Sequence, residues 1–171
     1  DVSAMDTSLD LLGQELEHPL LLAPAGAKQI LHPDGDRVAA RAARHTKSIY
    51  VVSALDTMNE LSQVGEAPTW WAATFGQATQ TSAVEFAKRA EDSGASAICV
   101  SVDYPYTGIR DRDSRNEFDM ESIQTGIYST SEPPQNSFQT GMLQPYTPSM
   151  TWKYLGWLHS ATQLPIVVKG I

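Results

Sequence analysis

Ser53, Thr74, Ser101, Asp103 and Lys169 stand at or just beyond the C-terminal ends of short apolar runs. Between them they supply hydroxyls that donate or accept, a carboxylate that only accepts when ionised, and an ammonium that only donates. The chain carries a net charge of −8, which excludes non-specific binding to nucleic acid or to an acidic membrane, since both need a basic surface. An anionic ligand stays open, because one local Lys or Arg outvotes the global field at short range. The single cysteine, Cys99, sits inside the apolar run Ala97-Ile98-Cys99-Val100 and reads as a buried core thiol. One cysteine excludes a disulfide framework.

The elements that must position these groups alternate along the chain. Apolar runs at 19–24, 48–53, 69–74, 97–102 and 165–169 lack a clean polar–apolar alternation. Runs of that kind fit strands buried on both faces of a parallel sheet. Helical patterns separate them: 34–46, 83–93 stopped by Gly94, 150–162, and a shorter helix over 57–64, with Asp34, Asp56 and Thr81 as candidate N-caps. Leu9 to Glu17, with Gly13 inside, reads as a small hairpin in an N-terminal region spanning 1–18. The polar stretch over 119–150, rich in Ser, Gln, Thr, Pro and Gly, reads as a mobile lid-like loop.

Repeated βα units fit two folds. A Rossmann sheet needs a Gly-rich turn after its first strand, and Ala23-Pro24-Ala25-Gly26-Ala27 does not match one. A TIM barrel gathers polar residues at its strand C-termini, which matches. The predicted fold class is therefore α/β, an incomplete TIM (β/α)8 barrel: about the first five strands within 171 residues, where a full barrel takes eight strands and about 250 residues. Residues 1–171 are expected to form one partial domain, truncated at both ends. No apolar run approaches the roughly 18 residues that span a bilayer, and no signal-peptide pattern opens the chain.

Several segments, in order, resemble the FMN-dependent α-hydroxy-acid oxidases and dehydrogenases, among them glycolate oxidase, lactate oxidase and the flavocytochrome lactate dehydrogenases. They are Pro19 to Ala27 with His32-Pro33-Asp34-Gly35-Asp36; Ser101-Val102-Asp103-Tyr104-Pro105; Gly108-Ile109-Arg110 with Arg115-Asn116-Glu117-Phe118; Thr151-Trp152-Lys153; and Leu164 to Gly170. The resemblance implies a TIM barrel with FMN at its C-terminal mouth, oxidising a small L-2-hydroxy acid to the 2-keto acid and passing electrons to oxygen or another acceptor. It implies that Pro24, Ala25 and Gly26 run past the flavin ring, Gly26 also lying toward substrate. Ser53 and Ser101 would hydrogen-bond the flavin. Lys169 would stabilise negative charge near flavin N1 and the C2 oxygen. Arg110 would grip the substrate carboxylate, as its donor fork suits, although Arg110 with Asp111, Arg112, Asp113 and Arg115 also reads as a solvated charge cluster. Asp103 would orient a histidine base. A homo-oligomer, commonly a tetramer, and a cytoplasmic or, in a eukaryote, peroxisomal location are further implications.

The third strand departs from the family pattern of aromatic–Gln–hydrophobic–Tyr. Aligned as Trp71-Ala72-Ala73-Thr74, it puts Ala72 at the flavin-contacting position and Thr74 at the substrate-contacting one. The family's histidine base and phosphate site lie beyond the fifth strand, and His18, His32, His45 and His159 do not replace the base. The isolated chain is therefore expected not to turn over. Two alternatives follow: a degenerate homologue with a flavin-binding or structural role, and another FMN barrel such as an isopentenyl diphosphate isomerase. Arg110 beside an Asp-x-Pro motif favours a carboxylate over a diphosphate.

Overall fold

The structure is a computed structural model and describes residues 3–26, 28, 31–52, 55–75, 79–103, 111–117 and 150–171. The expected lid over 119–150 lies outside them except for Met150. The chain opens with the predicted hairpin, β1 (Leu9–Leu11) and β2 (Gln14–Leu16), paired antiparallel. Alternating elements follow: α1 (Gly35–His45), β3 (Tyr50–Val52), α2 (Leu55–Gln63), β4 (Trp70–Thr74), α3 (Gln80–Asp92), β5 (Ala97–Ser101), α4 (Asp111–Arg115), α5 (Lys153–Ala161) and β6 (Ile166–Lys169).

Strands β3, β4, β5 and β6 form one parallel sheet in chain order. The run at 19–24, predicted as a full strand, reduces to an isolated parallel bridge between Leu22 and Tyr50. Leu22 N–H donates to the Ile49 carbonyl at 3.0 Å, and Val51 N–H to the Leu22 carbonyl at 2.9 Å. Pro19 and Pro24 bracket this run and lack the N–H that a longer ladder would use. The described sheet is thus part of a barrel wall, built in the order a (β/α)8 barrel uses.

The pleat sends alternate side chains to opposite faces, and two cores result. Tyr50, Val52, Trp70, Ala72, Ile98 and Val100 face the helices, where they meet Ala40 and Ala43 of α1, Met58 and Leu61 of α2, Ala83, Ala87 and Ala90 of α3, and Tyr154 and Leu158 of α5. Ile49, Val51, Trp71, Ala73, Ala97 and Cys99 face the barrel interior, with Leu16 of the hairpin plugging its lower end. Every residue of β3, β4 and β5 is buried, which explains why none of these runs alternates in polarity. Strand β6 is half-buried and ends exposed, as an edge strand.

Helix starts differ from the prediction in detail. Thr79, not Thr81, caps α3, its side chain accepting from the Ser82 N–H at 3.2 Å. Asp36 and Asp56 lie in first turns, where a carboxylate favours the helix dipole. Asp34 is the N-cap residue of α1 but makes no side-chain cap. Gly94, at φ +84, ends α3 as expected. Among the described residues no helix is long and apolar enough to cross a membrane.

Alanines at the buried positions of α1 and α3 let those helices lie close on the sheet. Enlarging Ala87, which is fully buried, should therefore strain the layer. Ala87→Leu is expected to lose about 1–3 kcal/mol in urea unfolding, whereas Lys88→Leu, one residue on and exposed, should change stability by under about 0.5 kcal/mol.

Candidate functional site at the strand ends

Parallel register decides which side chains meet. Ser101 pairs with Lys169, and Thr74 with Val100, so β4, β5 and β6 end at one edge of the sheet. Ser101 follows Ala97 and Cys99 by twos, and Lys169 follows Val167 by two; both therefore face the barrel interior at its mouth. Ser101 is buried and Lys169 half-exposed. The ladder continues one step further, with Val102 N–H donating to the Lys169 carbonyl at 2.9 Å.

That step brings Asp103 over the end of β6. The Lys169 ammonium donates to Asp103 Oδ2 at 3.1 Å and to Oδ1 at 3.4 Å. This donated hydrogen bond holds the Asp103 carboxyl below the usual carboxylate range, against a smaller opposing effect of desolvation. Gly170 makes the approach feasible. Its φ is +98, and a Cβ there would lie 2.4 Å from both Cβ and Cγ of Asp103. Beneath them Cys99 is a buried thiol, pushed up by desolvation and pulled the other way by the Lys169 charge.

The structure corrects two sequence assignments. Ala72 is fully buried among helix-facing residues, and Thr74 shares that face, where its side chain neighbours the Tyr154 hydroxyl of α5. Burial pushes the Tyr154 hydroxyl up to about 12, with Thr74 working in the opposite direction. Neither Ala72 nor Thr74 points into the mouth, because a one-residue shift in register exchanges the two faces of a strand. The interior positions of β4 are Trp71 and Ala73. Trp71 carries an indole N–H that is buried without a hydrogen-bond partner among the described residues.

At the start of the wall, Pro24 is half-buried while Ala25 and Gly26 are exposed at the end of the Leu22 bridge. Ser53 and Arg110 fall outside the described residues. None of the four histidines supplies a base at the mouth. His18 Nε2 lies 3.0 Å from the Thr46 carbonyl at the opposite end of the sheet. His32 Nδ1 accepts from the Asp34 N–H at 3.1 Å in the turn before α1, and His45 and His159 ride in the last turns of their helices. No cluster of His, Cys, Asp and Glu among the described residues is arranged to hold a metal. Sequence reasoning missed Gly170 as a shaper of the mouth, and Trp71 as an interior residue near the hairpin end of the wall.

A sequence profile described as FMN-dependent dehydrogenase matches residues 1–171. A peroxisomal (S)-2-hydroxyacid oxidase of Arabidopsis thaliana is 32% identical over 177 residues, covering all of this chain and 48% of that protein. An L-lactate oxidase of Nostoc sp. is 33% identical over 184 residues, covering all of this chain and 50% of the oxidase. The crystal structure of a mandelate oxidase superposes with a TM-score of 0.76 at 28% identity, over all of this chain and 48% of that one. The chain thus spans about half the length of the relatives it matches.

Because the Lys169 hydrogen bond is the largest cause of the lowered Asp103 pKa, the carboxyl should titrate at higher pH in Lys169→Met than in the unaltered protein, as read by carbonyl carbon NMR. The sign follows from the pair: ionised Asp103 is favoured above the usual carboxylate pKa of about 4, and the benefit is lost as acid protonates it. Gly170→Ala should raise that carboxyl pKa as well, because the added methyl displaces Asp103 from the ammonium.

Proposed function

From the premise that this chain belongs to the FMN-dependent dehydrogenase family, we propose that its full-length protein oxidises a small L-2-hydroxy acid to the 2-keto acid, with FMN as the cofactor. The carrying observation is the pairing of Ser101 with Lys169 at the interior mouth of a parallel wall. An ammonium beside a buried hydroxyl, at the strand ends of a barrel, suits an electron-rich ring on which negative charge grows. The exposed small-residue turn at Ala25 and Gly26 suits the close approach of a flat ligand.

The residues present therefore fit the cofactor. Pro24, Ala25, Gly26, Ser53, Ser101 and Lys169 would hold it. When bound, FMN supplies a two-electron acceptor for substrate oxidation. Lys169 would contribute positive charge where negative charge grows on the ring. Arg110 would pair with the substrate carboxylate, with Gly26 leaving room for it. Asp103 carries a carboxylate kept ionised by Lys169, as is needed to orient a basic histidine supplied from outside residues 1–171. Oxygen or another electron acceptor, assembly as a homo-oligomer, and residence in the cytoplasm or a eukaryotic peroxisome complete the reading.

The correction at β4 bears on the degenerate-homologue alternative. That reading leaned on Ala72 and Thr74 as lost flavin and substrate contacts, and neither faces the mouth.

The test is to reconstitute the full-length protein with FMN and record its visible spectrum before and after glycolate, L-lactate or L-mandelate under nitrogen. Bleaching by any of the three is expected. Bound flavin bleached by none would overturn the hydroxy-acid reading in favour of another FMN barrel, and absence of bound flavin would overturn the enzyme reading. Lys169→Met should slow bleaching by about 100-fold or more.

A further inference from the structure

A second lysine is held far more tightly than Lys169. Lys28 Nζ donates to Asp36 Oδ1 at 2.8 Å, and the two side chains are only 18% and 10% exposed. The Tyr50 hydroxyl, on a ring that is 1% exposed, donates to the same oxygen of Asp36. The Lys28 ammonium also lies 5.3 Å from the centre of the Tyr50 ring, within cation–π range. Burial and the Asp36 carboxylate together push the Tyr50 hydroxyl far above its ordinary range, so it is a fixed donor. These contacts alone would describe a tie between α1 and β3.

The third partner of Lys28 does not fit that plain role. Its ammonium also donates to the carbonyl of Ala25, in the turn at the barrel mouth that links the Leu22 bridge to α1. A peptide unit is planar and trans, so its C=O and N–H point in opposite directions. Tyr50 belongs to the helix-facing core, and Lys28 lies over it. Fastening the Ala25 carbonyl to Lys28 therefore turns the Gly26 N–H away from the helix layer. An exposed turn holding a glycine would otherwise sample many orientations of that peptide.

We propose that Lys28, anchored by Asp36 and Tyr50, is a positioning residue that fixes the Ala25–Gly26 peptide and presents the Gly26 N–H to the ligand at the barrel mouth. That the ligand is FMN rests on the reading of function above. The lysine acts through the peptide and touches no reacting atom.

Two measurements on the full-length protein test this. In the FMN-free protein, Lys28→Met should lower the amide order parameter at Gly26 from the rigid range of about 0.85 to below about 0.6, while amides in α1 and α3 keep theirs. On adding FMN, the variant should bind about tenfold more weakly, the loss of the hydrogen bond from a fixed Gly26 N–H, with shifted flavin absorption bands. Lys28→Arg should recover most of both effects. An unchanged Gly26 order parameter in Lys28→Met overturns the proposal, as do order parameters that fall uniformly along the chain, the mark of a merely structural lysine. A lowered Gly26 order parameter with unchanged FMN affinity and spectrum overturns it too. Should Lys28→Met fail to fold, Lys28→Met/Asp36→Asn removes both charges and is read the same way. If the unaltered protein takes up no FMN, the functional reading falls, and the Gly26 order parameter alone decides the role of Lys28.

Discussion

Parallel pairing of β5 with β6 is the constraint from which the site follows. It sets Ser101 opposite Lys169. The next step of the ladder, from Val102 N–H to the Lys169 carbonyl, carries Asp103 to within hydrogen-bonding reach of the ammonium. An antiparallel partner would have sent Lys169 to the far end of the sheet. Because β4, β5 and β6 all run the same way, their polar ends collect at one rim, and the apolar middle of each strand is left to fill the wall. Gly170 is part of the same constraint, since no side chain fits between the end of β6 and Asp103.

Much of this was legible in the sequence because fully buried parallel strands announce themselves as apolar runs. β3, β4, β5 and β6 all fall inside the predicted runs, and the hairpin was found from the turn at Gly13. Burial on both faces is also what hid the rest. A strand that is apolar throughout carries no alternation, so WWAAT does not say which residues look inward. Nothing in it checks the alignment of Trp71-Ala72-Ala73-Thr74 with the family pattern, which assigns Ala72 and Thr74 to the ligand although both share the helix-facing side. Only the helix-facing cluster, in which Ala72 packs with Trp70, fixes the parity. Helix ends erred for a related reason: Thr79 and Thr81 are both good caps by type, and tertiary packing selects where α3 begins.

The Lys28 anchor was invisible for a different reason. Lys28 and Asp36 flank a proline–glycine turn, and Tyr50 reads as an ordinary member of an apolar strand. Their convergence depends on α1 folding back over β3, a long-range event that local pattern does not report. Asp36 reads in the sequence only as the last residue of the segment His32-Pro33-Asp34-Gly35-Asp36.

The two lysine–aspartate pairs invite comparison, because the same chemistry has been put to two uses. Lys28 and Asp36 are nearly out of water, and separating them would strand charges in a poor solvent, which is costly. Such a pair holds one geometry. Lys169 and Asp103 are each close to half-exposed, so water stands ready to replace either partner, and the pair exchanges at little cost. A charge meant to stabilise a ligand must be able to leave its resting partner, whereas a charge meant to hold backbone must not. Exposure, more than distance, separates the two: 2.8 and 3.1 Å are nearly the same bond. By this criterion Lys169 is free to turn to a ligand, as the proposed function requires, and Lys28 is held in the frame.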